Sequence, residues 1–327
     1  MTERALLDQL LMDADPARTP RDAKPDAEAL AIRDRIISGE IKPKRDRAAG
    51  VRWATAVAAF VVVAGVAVFA AFSSQGQAVA GTPDPLTFTG SASVEQIVGD
   101  AHVALAATAG PPEPLRFVRT ASWGYAIDMS MGESKIVPQL STLSWEADQS
   151  GRMTIVDGEP YDPDDAAANV KAEVSSSGQV VTDLIMEPGQ FGSPIPDPPG
   201  SSAEDMRAML TALGVPADPS AGELMRGISD AVNQWTLTNE QEGHLLDLLA
   251  STEGATALGE TKDRLGRPVA GISVSSPNLA ATEVVLISLE TGRIVGMETT
   301  SVKGDDVLPK GAIVAYRLWD MTEEMVR

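Results

Sequence analysis

Residues 53–72, WATAVAAFVVVAGVAVFAAF, carry no charged side chain and a single hydroxyl, Thr55. A helix buried in a soluble core normally keeps one polar stripe toward solvent, and this segment has none on any face. Its length, at about 1.5 Å rise per residue, reaches about 30 Å, the hydrocarbon thickness of a bilayer. Trp53 and Phe72 stand at the two ends, where large rings favour the membrane interface. The segment reads as a single transmembrane helix and divides the chain into parts with different solvents.

The flanks set the orientation. Lys42, Lys44, Arg45, Arg47 and Arg52 precede the span, opposed there only by Asp46, and the next basic residue after it is Arg116. Positive charge is retained in the cytoplasm, so the N-terminal side is expected inside and the C-terminal part outside. Ala78-Val79-Ala80 also looks like a signal-peptidase site. A signal peptide's apolar core runs only about 7–15 residues behind a short leader, whereas this run is longer and 52 residues precede it. An anchor is the better reading, with cleavage after Ala80 as the alternative.

The net charge of −20 follows the same division. Residues 1–52 sum to +1 and residues 73–327 to −21. So acidic a domain repels phosphates, which excludes nucleic acid as its partner. There is no cysteine in the 327 residues, which rules out disulfides, thiol catalysis and cysteine-zinc sites.

In the arm, residues 3–13 place Leu6, Leu7, Leu10 and Leu11 on one helical face, and residues 26–38 do the same with Leu30, Ile32, Ile36 and Ile37. The stretch between them contains three prolines and reads as a linker. Two short helices cannot bury a core alone. They are either partly formed helices of a tail or a docking arm that folds on a cytoplasmic protein. The basic stretch next to the span also suits anionic membrane lipid.

Beyond the span, residues 73–90 read as a spacer and residues 91–327 as an extracytoplasmic domain. A helix is expected over 92–109, with Val94, Ile97, Val98, Ala101 and Leu105 on one face. Strands are expected over 115–127, 140–147, 152–156 and 179–187, the middle pair joined at Asp148-Gln149-Ser150-Gly151. After the Pro/Gly-rich stretch 188–202, a helical insert spans 202–252. Its three helices are opened by Ser202, Ser220 and Thr238, the last in a capping-box pattern. Strands return over 269–275, 282–289, 293–300 and 312–319, with Glu290-Thr291-Gly292 as a turn. Seven or eight strands and four helices make an α+β domain, a curved antiparallel sheet with helices on one face.

Chemistry is sparse. His102 and His244 stand apart from any partner motif, and no G-x-S-x-G, H-E-x-x-H or P-loop occurs. The sequence thus points to a non-enzyme without a cofactor. Asp157, Glu159, Asp162 and Asp164, with Asp165, form an acidic turn of the hard oxygen ligands that calcium takes, although their spacing is not that of an EF-hand. The bland reading is a solvated turn. Arg264-Leu265-Gly266-Arg267-Pro268 reads as a basic turn entering a strand. Met206, Met209 and Met225 read either as core or as an adaptable apolar surface.

The order of arm, span, first helix, Trp/Tyr-bearing strand, proline break and helical insert is followed by DRLGRPVAGI at 263–272 and LISLETGRIVGME at 286–298. The whole resembles an uncharacterised family of actinobacterial single-pass membrane proteins, often encoded beside extracytoplasmic-function sigma factors. Their ectodomains look like the lipoprotein-carrier half-barrel, with helices on its concave side. The resemblance implies an anti-sigma-like sensor, or alternatively a tethered envelope domain that binds an apolar ligand or a protein. The zinc-binding anti-sigma arm needs His and Cys, and residues 1–52 contain neither. Any sigma factor would have to be held by the leucine and isoleucine faces.

Overall fold

The computed structural model describes residues 81–124, 136–276, 281–303 and 310–322. The arm with Leu6, Leu7, Leu10, Leu11, Ile36 and Ile37 lies outside the described residues. So do Lys42, Lys44, Arg45, Arg47 and Arg52, the span 53–72, the Ala78–Ala80 site and the end of the strand expected over 115–127. Among the described residues no helix is long and apolar enough to cross a membrane.

The described chain is an α+β fold of nine strands and five helices. The first helix, α1 (Val94–Ala107), starts at a capping box. Ser93 Oγ accepts from the Gln96 amide, and Gln96 Oε1 accepts from the Ser93 amide. Ile97, Val98, Ala101 and Leu105 are buried, the face the periodicity marks. Four strands follow as a meander: β1 (Phe117–Gly124), β2 (Gln139–Trp145), β3 (Gly151–Gly158) and, after the short α2 (Ala166–Lys171), β4 (Ser176–Met186). The insert is α3 (Ala203–Ala212), α4 (Ala221–Val232) and α5 (Asn239–Ala250), each opened by a capping box at Ser202, Ser220 and Thr238. A second meander closes the chain: β5 (Ala255–Lys262), β6 (Pro268–Ser276), β7 (Ala281–Ser288), β8 (Ile294–Ser301) and β9 (Ile313–Leu318).

All strands are antiparallel neighbours in the order β4-β3-β2-β1-β9-β8-β7-β6-β5. The meanders meet where β1 pairs with β9, Ser122 opposite Arg317 and Trp123 opposite Tyr316. Consecutive strands β4 and β5 are therefore the two outer edges of one sheet. Eight interstrand gaps of about 4.8 Å put them about 38 Å apart. The insert is the connection that must cross this distance. It crosses over one face, which is why its apolar stripes and the sheet bury each other. Leu224, Met225, Ile228 and Leu246 share one core with Ile272, Val274, Val285 and Ile287. The opposite face has its own core of Ala121, Leu140, Val269, Leu286, Val295, Tyr316 and Leu318.

Three local features differ from the sequence reading. Strand β5 was not expected. Its sequence, ATALGETK, is small and shows no alternation, and a bulge falls between Ala257 and Gly259. Gly259 has φ +97, and a side chain there would strike the Thr89 carbonyl. Helix α2 was also missed. It is six residues long, capped by Asp165 and closed by Ala172 in the left-handed region at φ 41. Finally, residues 84–90, assigned to the spacer 73–90, lie on the sheet. The Thr89 and Glu260 amides each donate to the other's carbonyl, at 2.9 and 2.7 Å. The Phe88 ring occupies the space over Gly271 that any larger residue would need.

Candidate functional site

The residues singled out from sequence do not converge. His102 on α1 meets Asp247 on α5, Nε2 to Oδ1 2.7 Å, as an exposed tie between two helices. His244 lies half-buried on α5. In the acidic turn, Asp162 Oδ1 accepts from the Asp164 amide, and Asp165 Oδ1 accepts from the Ala167 and Ala168 amides. Asp157 is half-buried on β3 and Glu159 is exposed. Among the described residues no three acidic or histidine side chains are grouped to hold a metal ion. Met206, Met209 and Met225 are buried in the helix–sheet core.

Among the described residues, segments 263–272 and 286–298 hold most of the buried charges: Asp263, Arg264, Arg293 and Glu298. Asp263 Oδ1 accepts from the Leu265 and Arg267 amides and so shapes the turn that precedes β6. Arg267 donates to Asp263 Oδ2 (2.7 Å), to the Trp319 carbonyl (2.7 Å) and to the Val295 carbonyl (2.9 Å). It ties this turn to β8 and to the end of β9. Arg264, 1% exposed, is not a surface residue of a basic turn. Its Nε donates to Glu298 Oε1 at 2.6 Å, its Nη2 donates to the Asp84 carbonyl, and its guanidinium lies 5.0 Å from the Tyr316 ring centre. Burial pushes the Glu298 carboxyl up, and Arg264 pulls it back. The Tyr161 and Tyr316 hydroxyls are buried beside this pair without a hydrogen-bond partner among the described residues. Burial pushes Tyr161 up to about 12, and Tyr316 moves the same way.

A second clasp joins β8 to the insert. Arg293 donates to Asn239 Oδ1, the Leu237 carbonyl and Glu242 Oε1, at 2.9, 3.0 and 3.1 Å. Asn239 in turn donates to the Leu105 and Thr108 carbonyls at the end of α1. Each clasp joins segments far apart in sequence. Buried ion pairs of this kind fix an arrangement rather than add much net stability.

The helix-side face over β1–β4 keeps half-buried side chains, among them Met153, Ile155, Thr182 and Leu184. Helix α4 lies on β6 and β7, and α1 on β5. The register sorts the remaining strands into three rows. Val118, Leu143, Met153 and Leu184 form an apolar row that packs into the helix-side core. Thr120, Ser141, Ile155 and Thr182 form the next, with Thr120 and Ser141 hydroxyls 2.6 Å apart. Arg317, Ser122, Gln139 and Asp157 form the third. The face therefore grades from apolar to hydroxyl to charged. At its apolar end Trp145 packs edge-on against Trp235 and tilted on Phe191, centroids 4.9 and 4.8 Å apart. Beside this cluster the strap 188–200 and α3 leave a shallow depression of about 290 Å³, lined in part by Ile195, Pro196, Asp197 and Met209.

At the charged row Asp230 of α4 faces Arg317. Burial pushes the Asp230 carboxyl up to about 6, against the pull of Arg317 and Arg226. A raised acid binds its proton more tightly in the folded state. Its stabilising contribution is complete below the unfolded value of about 4 and is lost as pH rises through about 6. Asp230→Asn is expected to flatten that part of the stability profile. Urea midpoints at pH 4.5, 5.5 and 7 test it, and an unchanged slope would sink the assignment.

Sequence patterning gave no sign of these rows, because they exist only once the register is known. No protein-family model, no curated protein and no solved structure matches the chain.

Proposed function

We propose that the chain is a single-pass membrane protein whose arm 1–52 contacts a cytoplasmic protein while the acidic α+β domain binds something in the envelope. It is a regulatory or sensory protein without catalytic chemistry, in the arrangement of an anti-sigma factor but without a zinc motif. The observation that carries this reading is the charge-free segment 53–72 between an arm at +1 and a domain at −21. The fold supports it in one respect. The strongly buried ion pairs knit the domain together, and the half-buried part of the graded face over β1–β4 is its proposed binding surface.

The absence of native cysteine makes topology directly testable. A membrane-impermeant maleimide on intact cells should label Ser201→Cys and leave Ser38→Cys unlabelled. Labelling of Ser38→Cys alone, or of both, would reject the orientation. Deleting residues 1–40 should then alter transcription of a neighbouring sigma regulon. An unchanged regulon would remove the sigma factor as partner.

The graded face favours a second reading, a tethered carrier or binding domain. An amphipathic ligand would set its apolar part on the half-buried Met153 and Leu184 and its polar end near Arg317. Native mass spectrometry of the chain released from detergent should then show a lipid-sized adduct.

A further inference from the structure

The two edges of the sheet are treated differently. The β5 edge is met at one point, where the Thr89 and Glu260 amides each donate to the other's carbonyl. The β4 edge is the outermost strand on the other side, and among the described residues nothing pairs with its outer side. An open edge presents a row of unpaired amide and carbonyl groups, which proteins usually blunt with Lys, Pro, shortness or a bulge. Strand β4 is eleven residues long and contains neither Lys nor Pro. Its register shifts opposite β3 lie toward its start, around Ile155, Val156 and Gly158. The ladder is regular from Thr182 to Met186, and Val181 falls at the shift between Val180 and Thr182.

Within Val180–Met186 three apolar side chains are exposed. Val180, Val181 and Ile185 are 56%, 41% and 68% exposed. The one charge of this stretch, Asp183, is already held by Arg152 through two bonds of 2.7 Å. The charge around it is strongly one-sided. Residues 146–187 hold ten Asp and Glu against two Lys and Arg. Glu187 and Asp148 stand near one end of β4, and Asp157, Glu159 and Glu173 near the other.

We infer that the β4 edge receives an extended segment of a partner protein by strand addition, a segment apolar and β-branched in its middle and basic at its ends. Backbone pairing supplies the contact in this mode, and the flanking charges set its specificity. A second copy of the chain is the less suitable occupant, since each carries the same acidic flanks and like charges would be brought together.

The test uses the full chain in a mild nonionic detergent and a fluorescent nonapeptide, Lys-Lys-Val-Thr-Val-Thr-Val-Lys-Lys, read by anisotropy. Three comparisons accompany it: the same peptide N-methylated at alternate residues, its Glu-for-Lys counterpart, and the protein variant Val181→Lys/Ile185→Lys. The parent peptide should bind, and each comparison should weaken binding by about tenfold or more. The protein changes lie at exposed positions, so circular dichroism should match the parent. Equal binding of the N-methylated peptide would reduce the effect to charge attraction and overturn the proposal, as would failure of the parent peptide to bind. Sedimentation showing a dimer that Val181→Lys/Ile185→Lys dissociates would assign the edge to a second copy and overturn it too.

Discussion

Replacing Arg264 with Met is expected to destabilise the domain by about 3–5 kcal/mol, because it strands the Glu298 carboxylate in the core. Glu298 is 2% exposed, and its carboxylate accepts from an Arg264 nitrogen at 2.6 Å and from the Leu86 amide. The double variant Arg264→Met/Glu298→Met removes both charges, and it should recover most of the loss, since an apolar pair of similar volume is often neutral or better. The pH dependence separates this from a packing effect. Burial already raises the Glu298 carboxyl, and Arg264 opposes that shift. Without the guanidinium the carboxyl rises further, so the folded variant takes up a proton that the unfolded chain, near 4.5, does not hold. The deficit of Arg264→Met should therefore shrink as pH falls toward 4.5 and widen toward neutrality. Urea denaturation at pH 4.5 and 7 on the single and double variants measures it. A double variant no more stable than the single would mean that Arg264 acts through the Asp84 carbonyl and the Tyr316 ring instead.

That result bears on how far such a domain can be read from its sequence. Helices were legible because their signals are local. Ser202, Ser220 and Thr238 each reach an amide three residues on, and an acid or amide side chain at that position returns the bond. The hairpin between β2 and β3 was legible for the same reason, with Gln149 at φ 63 turning the chain. Strand β5 was not legible, because ATALGETK becomes a strand only through β6 on one side and Thr89 on the other. Arg264 and Arg267 look like a solvated turn in sequence. Their burial is made by Asp84, Val295, Glu298 and Trp319, residues that are neighbours only in the fold. Segments 263–272 and 286–298 thus lie within the second meander and tie it to Asp84 and to the helical insert, a structural part that needs no chemistry. The graded face is a further case, since its rows run across strands and leave no pattern along them.

A large packing loss is expected at Trp145. Trp145→Ala should cost about 3–5 kcal/mol, through lost burial and the cavity left behind. The side chain is 2% exposed, and its Nε1 donates to the Gln234 carbonyl at 2.8 Å. Its ring lies between Trp235 and Phe191, with Arg116 5.1 Å from its centre. The loss should not stay local. Phe191 belongs to the strap 188–200, which the sequence presents as a proline-rich break and the fold uses as a cover. Prolines bring no amide to satisfy, so the strap's exposed need is its carbonyls. Side chains take these one by one. Arg116 donates to Pro196, and Gln241 to Pro199 and Gly200. Ser193 Oγ donates to Gln234 Oε1, the residue whose carbonyl Trp145 holds. Removing Trp145 thus loosens the platform that carries Arg116, Phe191 and Gln234 together. Proteolysis within 188–200 should accelerate under conditions where the rest of the domain stays folded. Trp145→Phe keeps a ring but leaves the Gln234 carbonyl without its donor, so its cost should be nearer 1–3 kcal/mol, by order of magnitude. If cleavage in Trp145→Ala appears only together with global unfolding, Gln241 and Ser193 hold the strap and the aromatic cluster does not.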